Sequence, residues 1–528
     1  MAEKTATKDK NPEVKSPKEV TPTKKSKKGL IFGLIGAALF AVILVGYFLL
    51  RPKAAPDDPK AKLSYSRSFF IGDGGKYTLW NADGKRLTED TYESKSDFIA
   101  GYAYVKRDGQ VGIIRDDGAI TVPFGRYGNI EARGGLFLAQ DGNNKQYHVL
   151  TGTGRDLMTG EDLSITSAGS SSAFALIESA SVYDLFTFSG AHLGTFPKVE
   201  DVDEAQLAVN NDFGLFYYNN FNLIFDTREA KVLASFEGSR YTFDGVTENR
   251  TQILLQNDDD ESKYKLVTTA GLVYDLSDCK YYAFTILDYL IGYESYTELA
   301  ILNPDYTVAK RVSAYLALKD QNNYAVKNDD GNVDIVRNGT VVKTFDQDAD
   351  LESGVLYDDL YGITNDGKAM FYNLDGNIAI NHEYKEIWSL FNKFHHAVVA
   401  DEEDEYYLID TAGNRLTENT FKRIYREDGG YEFKTSDDKY AIANEKGEQI
   451  TEAKYDSTYY RSSAVDHNIW TGKNDTNDYD VIDVANKKML LEHVNVNSFY
   501  ANYFTVSTED GKYDCYTYSG VKFYTSEN

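Results

Sequence analysis

The sequence predicts an all-β chain of repeated four-stranded blades, grouped as two β-propellers and preceded by one transmembrane α-helix. Three observations carry this. A turn motif recurs in steps of roughly 36 residues from about residue 65 onward. Short alternating runs and turn signals follow one another closely, with no long apolar stripe of 3.6-residue period. One stretch near the N-terminus runs for 22 residues without a charge.

The uncharged stretch, Gly29 to Leu50, reads GLIFGLIGAALFAVILVGYFLL. At about 1.5 Å per residue a helix of this length spans roughly 33 Å, enough for a bilayer core of about 30 Å. A cleaved signal peptide would have a shorter apolar region ending in a small-x-small site, so the stretch is expected to stay as an anchor. Nine lysines precede it, among them Lys24, Lys25, Lys27 and Lys28; Arg51, Lys53, Lys60 and Lys62 follow. The positive-inside bias therefore keeps the N-terminus in the cytoplasm and places the rest outside the cell membrane. Residues 1–28 are Lys, Thr, Pro and Glu without a large apolar cluster, and are expected to be a disordered basic tail. Residues 51–64 make a linker.

Charge divides the chain the same way. Of 528 residues, 56 are Lys or Arg and 82 are Asp or Glu, a formal net charge of −26. The first 62 residues carry about +7, so the remainder is near −33. That acidity argues against nucleic acid and against whole-chain electrostatic binding to anionic lipid. Two cysteines, Cys279 and Cys515, are too few for a disulfide framework or a four-cysteine zinc site, and are expected to be buried and unpaired. Aromatic residues at 14%, with 41 Tyr, speak for a packed fold.

The repeated unit opens on an aromatic or apolar residue and reaches a turn Gly seven positions later. It occurs at Tyr77–Gly84, Val111–Gly118, Tyr147–Gly154, Tyr183–Gly190, Tyr264–Gly271, Ala369–Gly376, Tyr406–Gly413, Tyr440–Gly447 and Tyr513–Gly520. Asn220, Asp305 and Asn486 are expected to fill the glycine slot elsewhere, since Asn and Asp also tolerate positive φ. Asn338-Gly339 marks a two-residue hairpin. Thirteen hairpins result. Dividing them by arithmetic gives rings of six and seven blades, over residues 65–300 and 301–528.

The unit resembles the WG repeat, in which Trp-Gly opens a strand leading to a D-x-x-G turn. Val111-Gly112 and Phe213-Gly214 sit in the Trp-Gly slot, and Tyr fills the Trp position in eight units. The downstream pattern is matched by TEDTYESKSDF from Thr88, TENTFKRIYRE from Thr417 and TEAKYDSTYY from Thr451. The resemblance covers most of residues 70–528, although no repeat keeps an intact Trp-Gly. It implies a propeller-like architecture and a role in interactions.

No enzymatic device is visible: no His-Glu-x-x-His, no phosphate loop, no dinucleotide fingerprint and no Gly-x-Ser-x-Gly elbow. His395 and His396 lie in a strand-like run, where successive side chains point to opposite faces. The one candidate metal site is Asp346, Asp348, Asp350 and Glu352, an alternating run of hard oxygen ligands suited to calcium. It lacks the glycine and the twelfth-position glutamate of a calcium loop. Asp258–Glu261 and Asp401–Glu405 are further acidic runs, read as solvated faces. Trp80, Trp388 and Trp470 could each pack between blades or line a ring face.

The expected function is that of a membrane-anchored, extracytoplasmic, non-catalytic interaction platform without a cofactor, with a protein or envelope component as partner. The alternative is a cell-envelope carbohydrate binder or glycan hydrolase. Tyr or Trp clustered with two carboxylates on one ring face would favour the alternative; an unbroken acidic face with no aromatic pocket would favour protein binding.

Overall fold

A computed structural model describes residues 66–527, apart from 143–145, 167–173, 199–204, 211–212, 227–230, 286, 296, 314–315, 465 and 475–477. The expected tail, membrane helix and linker (1–28, 29–50 and 51–64) lie outside the described residues. Those described form strands, turns and loops, with no helix among them.

The strands make thirteen sheets in chain order, antiparallel except for one parallel strand added to the eighth. Nine have four strands, eight of them in simple succession, such as Ser94–Val122 and Asn129–Gly160. The first strands of successive sheets lie beside one another, as at Gln206–Asn210, Tyr241–Val246 and Tyr281–Phe284. In these sheets the first strand therefore marks the edge where neighbours converge, and the fourth marks the outer edge. Repeated four-stranded blades of this kind are propeller-like.

Core side chains fill the spaces between neighbouring sheets. Phe137, Ile130 and Leu150 of the third sheet pack on Ile113 and Val122 of the second. Tyr431 and Phe433 of the eleventh pack on Val398 and Leu408 of the tenth. Trp470 of the twelfth sheet is fully buried against Ile442 of the eleventh. No break in packing coincides with the division expected near residue 300. Ile291, Leu299 and Ile301 of the seventh sheet share one cluster with Leu316, Leu318 and Tyr324 of the eighth. The first sheet in turn packs on the thirteenth: Phe69 stacks on Tyr503 at 4.5 Å, and Trp80 meets Phe523 at 5.3 Å.

Each sheet corresponds to one hairpin read from the sequence, and the turn glycines behave as expected. Gly84, Gly118, Gly154, Gly413 and Gly447 all have φ between 74° and 87°. Three details differ. At two turns the left-handed residue is Tyr306 and Lys487, one place after the expected Asp305 and Asn486. Phe213–Asn220 joins the second and third strands of its sheet, not the third and fourth. Asn219 and Asn220 both have positive φ, 49° and 59°, which makes a good two-residue hairpin one strand earlier than the repeat requires.

The three segments that match the downstream repeat pattern fold alike. Tyr77, Tyr406 and Tyr440 each donate an N–H to the carbonyl of Tyr92, Phe421 or Tyr455, at 2.8 Å. Arg86, Arg415 and Gln449 close each segment by donating to the carbonyls of Thr88, Thr417 and Thr451, at 2.8, 2.8 and 2.7 Å. In these sheets a looser return takes the place of the fourth strand.

Candidate functional site

A concave groove of about 330 Å³ opens at the convergent edge of the ninth, tenth and eleventh sheets. Three segments build it. The first runs from Glu352 to Tyr357, between the first and second strands of the ninth sheet, where Gly354 and Val355 add a fifth strand to the eighth by pairing in parallel with Ala317 and Leu318. The N–H of Leu356 donates to the carbonyl of Leu318 at 2.8 Å, which pins this wall. The second is the first strand of the tenth sheet, Glu386–Ser389, with the turn that follows. The third is the first strand of the eleventh, Arg423–Glu427.

Period-two alternation decides what each strand presents. Ile387 and Ile424 turn inward and are buried. Their neighbours Trp388 and Tyr425 turn out into the groove and stay exposed. The two rings form its apolar lining together with Leu390 and Phe391; Glu352, Ser389 and Arg426 supply polar groups.

Trp388 is held in place. The Arg423 guanidinium lies 4.9 Å from its ring centroid and pairs with Asp404 at 2.8 Å. Tyr406 meets the indole edge-on at 5.3 Å and donates its hydroxyl to Glu386 at 2.8 Å. Burial and that carboxylate push the Tyr406 hydroxyl up to about 12. Burial, reinforced by the nearby Glu386 charge, holds the Glu352 carboxyl above the ordinary glutamate range. Beneath the turn, Asn392 is buried and donates to the Tyr431 hydroxyl at 2.9 Å, while its side-chain oxygen accepts from the N–H of Phe394 at 2.8 Å.

Chemically, this is a rigid aromatic floor beside a carboxyl and a guanidinium. A ring with an apolar C–H face and hydroxyls on its rim matches both parts. Glu352 is the one acidic residue among those lining the groove.

The residues expected to bind calcium are not gathered. Asp346 and Asp348 are exposed in the turn after the eighth sheet; Asp350 opens the ninth and faces Lys327 at 3.5 Å; only Glu352 enters the groove. Among the described residues no three His, Cys, Asp or Glu side chains are arranged to hold a metal ion. The other acidic runs meet cations and hydroxyls. Asp258 pairs with Arg240, Asp260 with Lys263, and Asp401 with His382 and Tyr407. His395 and His396 diverge, to Asp358 at 2.9 Å and to Tyr431 at 3.0 Å. Cys279 and Cys515 are buried and unpaired.

The three tryptophans have three fates. Trp470 is core, Trp80 joins the first sheet to the last, and Trp388 lines the groove. Tyr425 and Arg426 went unremarked in the sequence. Superposing the first strands E-I-W-S and R-I-Y-R would have aligned Trp388 with Tyr425.

No family model matches the chain, and neither does any curated protein. Among solved structures it is similar to a eukaryotic initiation factor, with 12% identity, 61% of this chain and 98% of that chain covered, and a TM-score of 0.25. It is also similar to Hsv2 of Kluyvelomyces marxianus, with 8% identity, 46% and 91% covered, and a TM-score of 0.18. Neither likeness carries over to function.

Proposed function

We propose that the protein is a membrane-anchored, extracytoplasmic recognition protein that binds carbohydrate without cleaving it. The observation that carries this is the exposure of both Trp388 and Tyr425 in one concave groove with Glu352 and Arg426. Sugar rings stack on such faces, and their hydroxyls bond to carboxyl and guanidinium groups. A glycan hydrolase would require two carboxyl groups flanking the scissile bond. Here Glu386 is engaged by Tyr406 and Glu352 stands alone in the lining, which supports binding without catalysis. The anchor is argued from Gly29–Leu50, and the kinship with WG repeats from the three alike Thr88, Thr417 and Thr451 segments. The unbroken packing at residue 300 and the contact of first sheet with last support one circuit of blades over two rings.

A second reading, a platform for protein partners, is favoured by exposed aliphatic side chains along the outer edge. Ile120, Val232, Val341 and Ile378 lie in fourth strands, and Leu272 and Val521 lie just before them.

The test is affinity electrophoresis of the full chain in detergent through gels containing a panel of neutral and acidic polysaccharides, including solubilised cell-wall glycan. Retardation by at least one, lost in Trp388→Ala, is the expected result. Free migration in every gel, together with a reproducible cross-linked protein partner on intact cells, would replace the carbohydrate reading with the platform reading.

A further inference from the structure

The exposed aromatic side chains are concentrated in one region. Among the described residues the large exposed aromatics are Trp388, Tyr425, Tyr459 and Tyr500, at 42, 43, 45 and 44%. The other large exposed hydrophobics are aliphatic and belong to outer strands or the turns before them. The four aromatics fall one to a sheet, on the tenth to thirteenth sheets, at the convergent edge.

Their positions correspond. Tyr425 stands opposite Glu432 and Tyr459 opposite Thr471, each the third residue of its sheet's second strand. Trp388 sits at a bulge beside the equivalent Val398. In the thirteenth sheet Ser498 takes this position, opposite Thr505, and Tyr500 lies two residues further on. Three of the rings, Trp388, Tyr459 and Tyr500, are backed by the fold. Arg461 lies over Tyr459 at 5.1 Å and over Phe499 of the next sheet at 4.9 Å, and donates twice to the Thr471 hydroxyl, at 3.0 and 2.7 Å. Tyr500 stacks on Tyr503 at 4.6 Å, which stacks in turn on Phe69. Rings already fixed in place lose little freedom when a ligand arrives.

An aromatic left in water once is unremarkable; one on each of four consecutive sheets, with Trp388, Tyr425 and Tyr459 at matching positions and Tyr500 two residues beyond, forms a row. With sheets stacked about 10 Å apart, the row extends roughly 30 Å. That is longer than the groove that contains only its first two members. The ligand that matches a row of spaced flat faces is a polymer of rings.

We propose that the row is a track for an extended polysaccharide chain, with the groove as its deepest subsite and Tyr459 and Tyr500 as outlying ones. This rests on the carbohydrate reading of the groove, and the test separates the two. The probes are di-, tetra- and hexasaccharides cut from whichever polysaccharide retards the full chain, titrated by calorimetry in detergent. Affinity is expected to rise about tenfold or more from di- to hexasaccharide, as one added stacking contact of about 1.4 kcal/mol would give. Tyr459→Ala and Tyr500→Ala should flatten that rise while leaving disaccharide affinity unchanged. Tyr459→Phe should restore it, since the ring and not the hydroxyl makes the contact. Trp388→Ala should weaken every length. Equal affinity for di- and hexasaccharide, or no effect of the two tyrosine variants, would overturn the track and leave the groove standing. Indifference of every length to Trp388→Ala would overturn the groove itself.

Discussion

Tyr524, in the last strand, donates its hydroxyl to the carboxylate of Asp73, in the first hairpin, at 2.5 Å across 451 positions of chain. The N–H of Glu527 reaches the same carboxylate at 2.6 Å. Asn502 donates to the Ser66 carbonyl at 2.9 Å, and Tyr513 to the Gly72 carbonyl at 3.1 Å. Sheets one and thirteen are thereby joined by hydrogen bonds as well as by the stack of Phe69 on Tyr503.

This junction should be measurable. Phe69→Ala removes half of an aromatic pair and should cost about 2 kcal/mol, less than a fully buried Phe would. The Tyr524 hydroxyl, with the Glu527 N–H behind it, holds Asp73 below the usual aspartate range. A depressed carboxyl stabilises the fold above its unfolded value near 3.8, and that stabilisation fades as pH falls through the folded value. Tyr524→Phe should therefore lower Tm at pH 7 and make little difference at pH 2, as read by circular dichroism.

Asp480 offers a harsher test. It is fully buried and accepts from Lys454 at 2.8 Å, the Tyr455 hydroxyl at 2.9 Å and the His493 N–H at 3.1 Å. Burial pushes its carboxyl up, but these donors together hold it below the ordinary range. Asp480→Ala leaves a lysine and two further donors unmatched and should cost about 3–5 kcal/mol. The loss should be largest at neutral pH in urea unfolding and shrink below pH 4 or so, where the wild-type carboxylate is itself titrating.

Glu352 runs the other way. Its raised carboxyl means the folded chain holds the proton more tightly than the unfolded one. That contribution is complete below the unfolded value of 4.5 and is lost as pH rises through the folded value. Glu352→Gln, which does not titrate, should therefore gain Tm relative to wild type between pH 4 and pH 7. An unchanged difference across that range would place the carboxyl in water.

Chain division tests the circuit. Residues 66–300 and 301–527, expressed apart, would each expose the apolar faces that meet at Ile291 and Leu316, and at Phe69 and Tyr503. Aggregation of both halves on size exclusion is expected, with soluble material only on co-expression. Two monodisperse, folded halves would support the two-ring division instead.

Much of the fold was legible because each sheet announces itself locally. A glycine seven positions after an aromatic or apolar strand residue closes a tight turn at φ near 80°, so Gly118 or Gly413 reports a hairpin without reference to anything distant. Where the sequence misled, a competing local rule explained it, as at Asn219-Asn220. Buried acids were opaque for a related reason. Asp514 looks like a solvent-facing residue, yet it is buried and accepts from Thr525 on the next strand at 2.7 Å. The groove was the least legible feature. Trp388 and Tyr425 are 37 positions apart. They line one groove only because two first strands bring them to it, which no short window of sequence encodes.

The junction of first and last sheets also has a mechanical side. A pull on the chain at Ser66 loads the carbonyl that Asn502 grips and the ring that Tyr503 covers. The first hairpin cannot peel away strand by strand, because its far side is fastened to the thirteenth sheet. Such a clasp resists tension in shear, several bonds breaking together, where an open array of blades would unzip from its end.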